Sequence, residues 1–278
     1  MLTRMEVAKH IVWQVIYMEN RKTVPDGLSL RKTKRWLTPT AINTFINCPR
    51  KYFNRYILGT RQAPNIYLIR GSAVHRAIEQ FYRLKLQQCK DYDAPELKQL
   101  LHDIFQCEWE ARRKTLRRLG LTASDQDYIF SDSLSMLDNF IDGFIDSQNC
   151  DDPDIEKQIS SEKLKLRGRI DAIYKNSPNS PPLIIDFKTN KSMEFYPEHK
   201  RQLGLYALLY FEENQVIPDV GVHFLRFKNG LNQMAVTSEY LESMKAMVTD
   251  IHSRTQSDDI ADYPCVCGMC DKSYKKAA

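Results

Sequence analysis

Residues 183–189 read LIIDFKT, a short apolar run in which Asp186 and Lys188 stand two positions apart. Because side chains alternate across a β-strand, this spacing predicts that Asp186 and Lys188 share one face, which we expect to point outward. Ile185 and Phe187 then point the other way, into a core. The run therefore predicts a strand of a central sheet that carries an acid and a lysine side by side.

The preceding strand candidate, GRIDAIY at 168–174, places a second acid, Asp171, among apolar residues. A Ser/Pro/Asn-rich turn at 176–182 joins the two runs and predicts a hairpin. Neighbouring carboxylates repel each other and raise each other's pKa, so the pair is costly unless a cation lies between them. Hard oxygen ligands favour Mg²⁺ or Mn²⁺, and a lysine beside the metal can orient a water. Taken alone, a D-x-K triplet is better explained by a surface ion pair, because such triplets are common in any chain.

The rest of the chain predicts an α/β fold with a mixed central sheet flanked by helices. Strand-like alternation follows residue 153, and a helix at about 197–213 separates the hairpin from strand candidates at 220–227 and 233–237. Residues 92–150 are helical in texture and predict an insertion. A helix at 238–254 leads into a cysteine-rich tail at 258–278, and residues 1–37 predict an appended helix and a basic linker.

Positive charge is concentrated near the N terminus, where residues 1–90 hold 17 Lys and Arg against 4 Asp and Glu. Such a field suits a polyanion such as nucleic acid, although a well-solvated surface explains the charge equally well. No apolar run approaches the roughly 20 residues of a membrane helix, and a secretory signal is not evident. We therefore expect a soluble, cytoplasmic protein with no membrane partner.

Two further motifs accompany the acids. GSAVHRAIE places His75 on a helix predicted at about 72–88, with Glu79 one turn later on the same face. QLGLY places Gln202 and Tyr206 four residues apart on the helix that follows LIIDFKT. Taken singly, each motif is also explained by ordinary packing or surface residues.

In this order, the four motifs resemble the PD-(D/E)XK nuclease superfamily. They are most similar to its RecB-like branch, which includes the CRISPR-associated nuclease of spacer acquisition and the nuclease domains of helicase-nucleases. The resemblance covers roughly residues 38–275 and implies a restriction-endonuclease-like core within a nuclease domain at 38–278.

The resemblance also implies roles for the site residues. His75, Asp171 and Asp186 would bind Mg²⁺ or Mn²⁺ with the backbone carbonyl of Phe187, and Lys188 would orient the attacking water. Gln202 and Tyr206 would brace the site or contact the substrate strand. Glu79 is equally explained as a solvated helix residue and is left outside the catalytic set.

The seven cysteines divide into scattered positions and a cluster. Cys89, Cys107 and Cys150 fit small buried or free thiols, whereas Cys265, Cys267 and Cys270 fall within six residues. In the resembling branch, a cysteine before the first helices joins three near the C terminus in an iron-sulfur cluster, and Cys48 matches that first position. The spacing here, C-x-C-x2-C, departs from the usual C-x2-C-x5-C. The set therefore predicts a [4Fe-4S] cluster, with Zn²⁺ or free thiols as alternatives.

The function that this resemblance implies is metal-dependent hydrolysis of DNA phosphodiester bonds, with an exonuclease on single-stranded ends as the favoured form. Arg50, Lys51 and Arg55, which surround aromatic residues beside Cys48, suit a nucleic-acid surface. One alternative is a non-catalytic DNA-binding subunit of a helicase or integrase assembly, docked through the N-terminal helix. Another is a structure-specific or RNA-directed endonuclease.

Overall fold

A five-stranded mixed sheet forms the centre of the protein, as the computed structural model shows. The structure describes residues 35–60, 65–84, 92–146, 153–175 and 180–270, without the side chains of 144–146. The strands are β1 (Asp154–Ser161), β2 (Leu166–Tyr174), β3 (Leu183–Lys188), β4 (Asp219–Phe224) and β5 (Leu231–Met234). They lie in sequential order; β3 and β4 are parallel and the other neighbours antiparallel.

Helices cover both faces of this sheet. In chain order they are α1 (Pro39–Asn47), α2 (Pro49–Tyr52), α3 (Ile66–Arg83), α4 (Ala94–Ala111), α5 (Arg113–Arg117), α6 (Ala123–Asp146), α7 (Pro197–Asn214) and α8 (Ser238–Arg254). A π-helical turn at Phe53–Ile57 follows α2, and a 3-10 turn at Ile260–Asp262 follows α8. The predicted α/β architecture with a mixed sheet and flanking helices is confirmed.

Two hydrophobic cores, one on each face, fix the sheet between these helices. Ile185 and Phe187 pack into a core with α3, α4 and α6, whereas Ile184 packs into a core with α1, α7 and α8. The expectation that Asp186 points outward is therefore wrong. Its side chain is buried, because α7 covers the face that a half-exposed sheet would leave to solvent.

The helix carrying His75 begins six residues earlier than the sequence indicates, at Ile66 rather than about 72. Asn65 caps it, because its side-chain oxygen accepts a hydrogen bond from the backbone N–H of Leu68 at 3.0 Å. The predicted end near 88 lies outside the described residues, as do Cys89 and Cys150. The helices α4, α5 and α6 occupy the segment predicted as a helical insertion.

The predicted N-terminal helix and most of its basic linker lie outside the described residues. Residues 35–37, the end of that linker, are part of the fold: Leu37 is fully buried and exchanges backbone hydrogen bonds with Lys165 and Arg167. Arg35 donates hydrogen bonds to the carbonyl oxygens of Thr255 and Ser257 at 2.7 and 2.9 Å. Among the described helices, none has the length and apolarity needed to cross a membrane.

His223 on β4 predicts a specific acid sensitivity of the fold. Burial lowers the pKa of His223 to about 4, whereas an unfolded chain holds histidine near its ordinary value of about 6.5. The unfolded state therefore binds more protons between these values, and the stability that neutral His223 provides is lost as pH falls from about 6.5 towards 4. We expect His223→Phe to be less sensitive to acid in this window.

The measurement is the free energy of unfolding of both proteins by denaturant titration from pH 7.5 to 4, without metal. The difference between variant and parent should shift in favour of the variant as pH falls. Parallel curves would show that His223 does not titrate with a lowered pKa.

Candidate active site and cysteine cluster

The hairpin register brings the two predicted acids together. Ala172 of β2 pairs with Ile185 of β3, so Asp171 and Asp186, the next residues along each strand, lie beside each other at the end of this pairing. The Asp171 carboxylate accepts a hydrogen bond from the backbone N–H of Phe187 at 2.8 Å. Two acids from separate strands are thus held side by side within the protein.

His75 lies on α3, in the helix layer on the other face of the sheet from α7, and its side chain approaches Asp171. Its Nδ1 lies 3.4 Å from the nearer Asp171 carboxylate oxygen. Burial disfavours the charged imidazole, but Asp171 outweighs this effect and raises the pKa of His75. Burial likewise opposes ionisation of Asp171, but His75 and the Phe187 amide outweigh it and lower the pKa of that carboxyl. Asp171 is therefore ready to act as an anionic ligand.

Lys188 and Gln202 enclose the other acid. The Lys188 ammonium lies 2.6 Å from one oxygen of Asp186, and the Gln202 amide donates a hydrogen bond to the other at 2.8 Å. Lys188 also donates to the Gln202 side-chain oxygen at 3.1 Å. Burial, with Asp171 adding, raises the pKa of Asp186 in spite of Lys188. Burial lowers the pKa of Lys188, but Asp186 and Asp171 outweigh it and raise that pKa overall.

Tyr206 completes this side of the site. The Gln202 amide donates to its hydroxyl oxygen at 3.0 Å, and the ring lies against Gly168 of β2. A Cβ on Gly168 would stand 3.0 Å from the Tyr206 ring, so a larger residue there would require this ring to shift by a few tenths of an ångström. Gln202 and Tyr206 of the motif QLGLY therefore lie beside Asp186.

Glu156 of β1 is a site residue that sequence reasoning missed. It lies between Ile155 and Lys157, which pair with Ala172 and Ile170, and so it stands beside Asp171. Its side chain is 8% exposed, and Arg169 Nε approaches a carboxylate oxygen at 2.6 Å. Burial and Asp171 raise the pKa of Glu156 to about 7, with Arg169 opposing.

The backbone of Glu156 is unusual as well. Its φ of 51° lies in the left-handed region, which costs a glutamate on the order of 1 kcal/mol. The only sequence signal is an acid in a strand opposite Asp171, and this signal cannot be read without the hairpin register.

Glu79 is explained by its ion pairs with Arg76 and Arg83 on α3, at 2.6 and 2.7 Å.

The chemistry of these donors fits a divalent cation. One donor atom each from His75, Glu156 and Asp171 lie within 4.8 Å of one another. An imidazole with two carboxylates suits a hard or borderline metal such as Mg²⁺ or Mn²⁺. The Asp186 carboxylate, which adjoins this group, is directed instead at Lys188 and Gln202.

A groove of about 970 Å³ opens next to Asp171 and runs along β1 and β2 to Trp36. Arg167 and Arg169 line it, and Tyr206 forms part of its wall. Trp36 stands at the far end, with the Lys165 ammonium 5.5 Å from its ring centroid. The groove is polar and basic, and Asp171 forms part of its lining.

The three basic residues predicted to contact nucleic acid lie elsewhere. Lys51 and Arg55 are exposed near the end of α2, with the Arg55 guanidinium 5.4 Å from the centroid of the Tyr56 ring. Arg50 is half-buried, and its Nε donates to the backbone carbonyl of Tyr263 at 2.8 Å. Arg50 thus joins α2 to the segment that precedes the cysteine tail.

Four cysteines from the two ends of the described chain meet in one cluster. The sulfur atoms of Cys48, Cys265, Cys267 and Cys270 all lie within 4.8 Å of one another. Cys48 and Cys270 are buried, with their sulfurs 3.7 Å apart. The tail spacing, although unlike the usual one, therefore brings its three cysteines to Cys48. Cys107, predicted to be a separate thiol, lies half-buried on α4.

The surroundings of Cys48 favour its thiolate. Burial opposes ionisation, but backbone amides, those of Lys51, Val266 and Cys267, outweigh it and lower the pKa of the thiol to about 6. The thiolate is the form that binds metals. Burial and the neighbouring thiols of Cys267, Cys265 and Cys48 raise the pKa of Cys270.

Comparison with known proteins agrees with this geometry. The family model of the PD-(D/E)XK nuclease superfamily matches residues 36–273. The chain therefore belongs to the PD-(D/E)XK nuclease superfamily, whose members use divalent metals. No curated protein matches the sequence.

Two crystal structures are similar to parts of the chain to different degrees. One, from Eubacterium rectale and described as "Putative exonuclease", is 11% identical and covers 91% of this chain and 93% of its own, with a TM-score of 0.53. Another, of SSO0001, is 14% identical and covers 87% and 85%, with a TM-score of 0.28. The first supports the same overall fold.

The cysteine geometry predicts that Cys48→Ser removes bound metal and destabilises the protein. If the cluster holds iron or zinc, losing a ligand removes binding free energy that contributes to folding. We expect the melting temperature to fall by on the order of 10 °C, together with the metal content measured by elemental analysis.

Cys107→Ser is the matched control, because Cys107 is a thiol outside the cluster. It should keep full metal content. Parent protein purified without oxygen that contains neither iron nor zinc would rule out a metal cluster here.

Proposed function

We propose that the protein is a metal-dependent nuclease that hydrolyses DNA phosphodiester bonds, acting as an exonuclease on single-stranded ends. The observation that carries the proposal is the convergence of Asp171, Asp186 and Lys188 in one buried site. Structural ion pairs are normally built with one cation for each anion. Here two carboxylates lie side by side with one permanent cation, Lys188, while the second partner, His75, can release its proton and so leave room for a metal cation.

His75, Asp171, Asp186 and the Phe187 carbonyl are the groups that we propose hold the metal, Mg²⁺ or Mn²⁺. When bound, such a metal polarises the phosphodiester and lowers the pKa of water. His75 contributes best as a neutral imidazole, so binding must displace the proton that Asp171 favours. Metal affinity should therefore rise with pH.

Lys188 is the group that we propose positions the attacking water and stabilises charge on the phosphate oxygens. Its raised pKa keeps the ammonium charged, which suits a positioning and electrostatic role. Gln202 ties Lys188, Asp186 and Tyr206 together through hydrogen bonds of 2.8 to 3.1 Å. Gln202 and Tyr206 thereby restrict the rotamers of the two charged groups, and pre-organisation of this kind lowers reaction barriers.

Several features support DNA as the substrate. The superfamily is one of nucleases, and the groove beside Asp171 is lined by Arg167 and Arg169, which suit phosphates. Trp36 at its end offers a ring on which an unpaired base can stack, which favours a single strand. Arg50, Lys51 and Arg55 would add positive charge outside the groove. The description of the similar Eubacterium rectale structure and the RecB-like motifs favour exonuclease action.

The other parts of the chain receive their roles from the same resemblance. We propose that Cys48 and the tail cysteines hold a [4Fe-4S] cluster, with Zn²⁺ as the alternative, and so clasp a nuclease domain at 38–278. Residues 92–150 would be a helical insertion in that domain. The helix predicted within residues 1–37 would dock a protein partner in the cytoplasm.

The lysine carries the sharpest test of this function. Lys188→Ala should lower the rate of cleavage of an end-labelled single-stranded oligonucleotide with Mn²⁺ by at least about 100-fold, because it removes transition-state stabilisation. DNA affinity, measured by fluorescence anisotropy in Ca²⁺, should change little. Lys245→Ala on α8 is the control, since Lys245 pairs only with Glu242 on its own helix among the described contacts.

A parent protein that never cuts DNA or RNA with Mn²⁺ would overturn catalysis and leave a binding role. Cleavage of RNA alone would keep the chemistry and change the substrate.

Gln202→Ala should lower the cleavage rate by about 10-fold or more while Mn²⁺ affinity stays near that of the parent. The reason is that Gln202 orients Lys188 and Asp186 without supplying an anionic ligand. Steady-state cleavage and Mn²⁺ calorimetry measure the two effects separately. An equal loss of both would show that Gln202 acts on the metal ligands instead.

A further inference from the structure

We infer that Glu156 is an additional anionic ligand of the divalent metal at His75 and Asp171. The inference rests on the proposed function and extends it to a residue on β1 that the four motifs do not contain. Three observations support it. They are the position of Glu156 among the donor atoms, the contacts of Asp186 with Lys188 and Gln202, and the left-handed backbone of Glu156 beneath a buried carboxylate.

The Glu156 carboxylate lies in a group of three potential metal ligands. Glu156, His75 and Asp171 bring one donor atom each within 4.8 Å of one another, from β1, α3 and β2. A mixed set of imidazole and carboxylate groups that converge on one point suits a divalent metal, because the ion replaces water contacts with several ligands at once. The hairpin register holds Glu156 beside Asp171, so the carboxylate reaches this position without rearrangement of the sheet.

Asp186 leaves room for such a ligand. Gln202 donates a hydrogen bond to one of its oxygens at 2.8 Å, and the Lys188 ammonium lies 2.6 Å from the other, which accepts no hydrogen bond from the described residues. The carboxylate that faces His75 and Asp171 most directly, as the structure stands, is that of Glu156. A metal bound at this end would therefore meet Glu156 together with His75 and Asp171.

A structural ion pair with Arg169 is the competing explanation of Glu156. The Arg169 side chain is 64% exposed, and a pair in which one partner is largely in water stabilises a fold only weakly. Such a pair gives no reason to keep a buried carboxylate on a residue with a φ of 51°, where asparagine or glycine fits better. A ligand role does, because the metal then compensates for the buried charge.

The two explanations differ in what happens when Glu156 is replaced. Glu156→Gln keeps the size of the side chain and removes its charge. Glu156→Asn also relieves the backbone, since asparagine adopts the left-handed region readily. Glu213→Gln is the matched control, because Glu213 forms a similar ion pair with Lys157 of β1, at 3.0 Å, away from the site.

The experiment is titration of the metal-free full chain with Mn²⁺, followed by calorimetry and by the electron paramagnetic resonance signal of free Mn²⁺. Melting temperatures of the metal-free proteins are measured alongside. We expect Glu156→Gln and Glu156→Asn to weaken Mn²⁺ binding by at least about 10-fold, with Glu213→Gln unchanged. Glu156→Asn should melt at or above the parent temperature without metal.

Mn²⁺ affinity of Glu156→Gln equal to that of the parent would overturn the ligand role while leaving the proposed nuclease intact. Loss of folding in both Glu156 variants would also overturn it, since the ion pair would then be structural. A parent chain that binds no Mn²⁺ would overturn the proposed function together with this inference.

Discussion

Two carboxylates held side by side in the protein interior, Asp171 and Asp186, impose the constraint to which the rest of the site responds. Like charges in a medium of low dielectric repel strongly, so burial alone would drive one of them to take up a proton. The surrounding elements answer this repulsion with positive charge and hydrogen bonds: His75 and the Phe187 amide at Asp171, Lys188 and Gln202 at Asp186. A divalent cation in place of the His75 proton would keep both carboxylates compensated.

The fold serves this constraint by bringing a helix to each face of one hairpin. The α3 layer supplies His75, and the α7 layer supplies Gln202 and Tyr206, while the hydrophobic cores on both faces keep the layers at fixed distances. Packed cores tolerate little displacement, so the site geometry is inherited from the stability of the whole sheet. The cysteine cluster also joins distant parts of the chain, because it connects α2 to the segment beyond α8.

The sequence predicts the acids and the lysine well because their geometry is local. Strand periodicity alone places Asp186 with Lys188, and the hairpin places Asp171 next to them. The sequence does not predict that Asp186 is buried, because the face of the sheet that a helix covers depends on the whole chain. Glu156 is not predicted from the sequence for a similar reason, since its position follows from the register between β1 and β2. Cys48 and Cys270 are 222 residues apart, and only the family resemblance could pair them.

The position of a bound metal ion tests the proposed active site most directly. Crystals grown with Mn²⁺ and measured at a wavelength at which manganese scatters anomalously would locate the ion independently of any activity. We expect an anomalous peak within about 2.3 Å of His75 Nδ1 and of an Asp171 carboxylate oxygen. Saturating Mn²⁺ with no peak between α3 and the β2–β3 hairpin would contradict it.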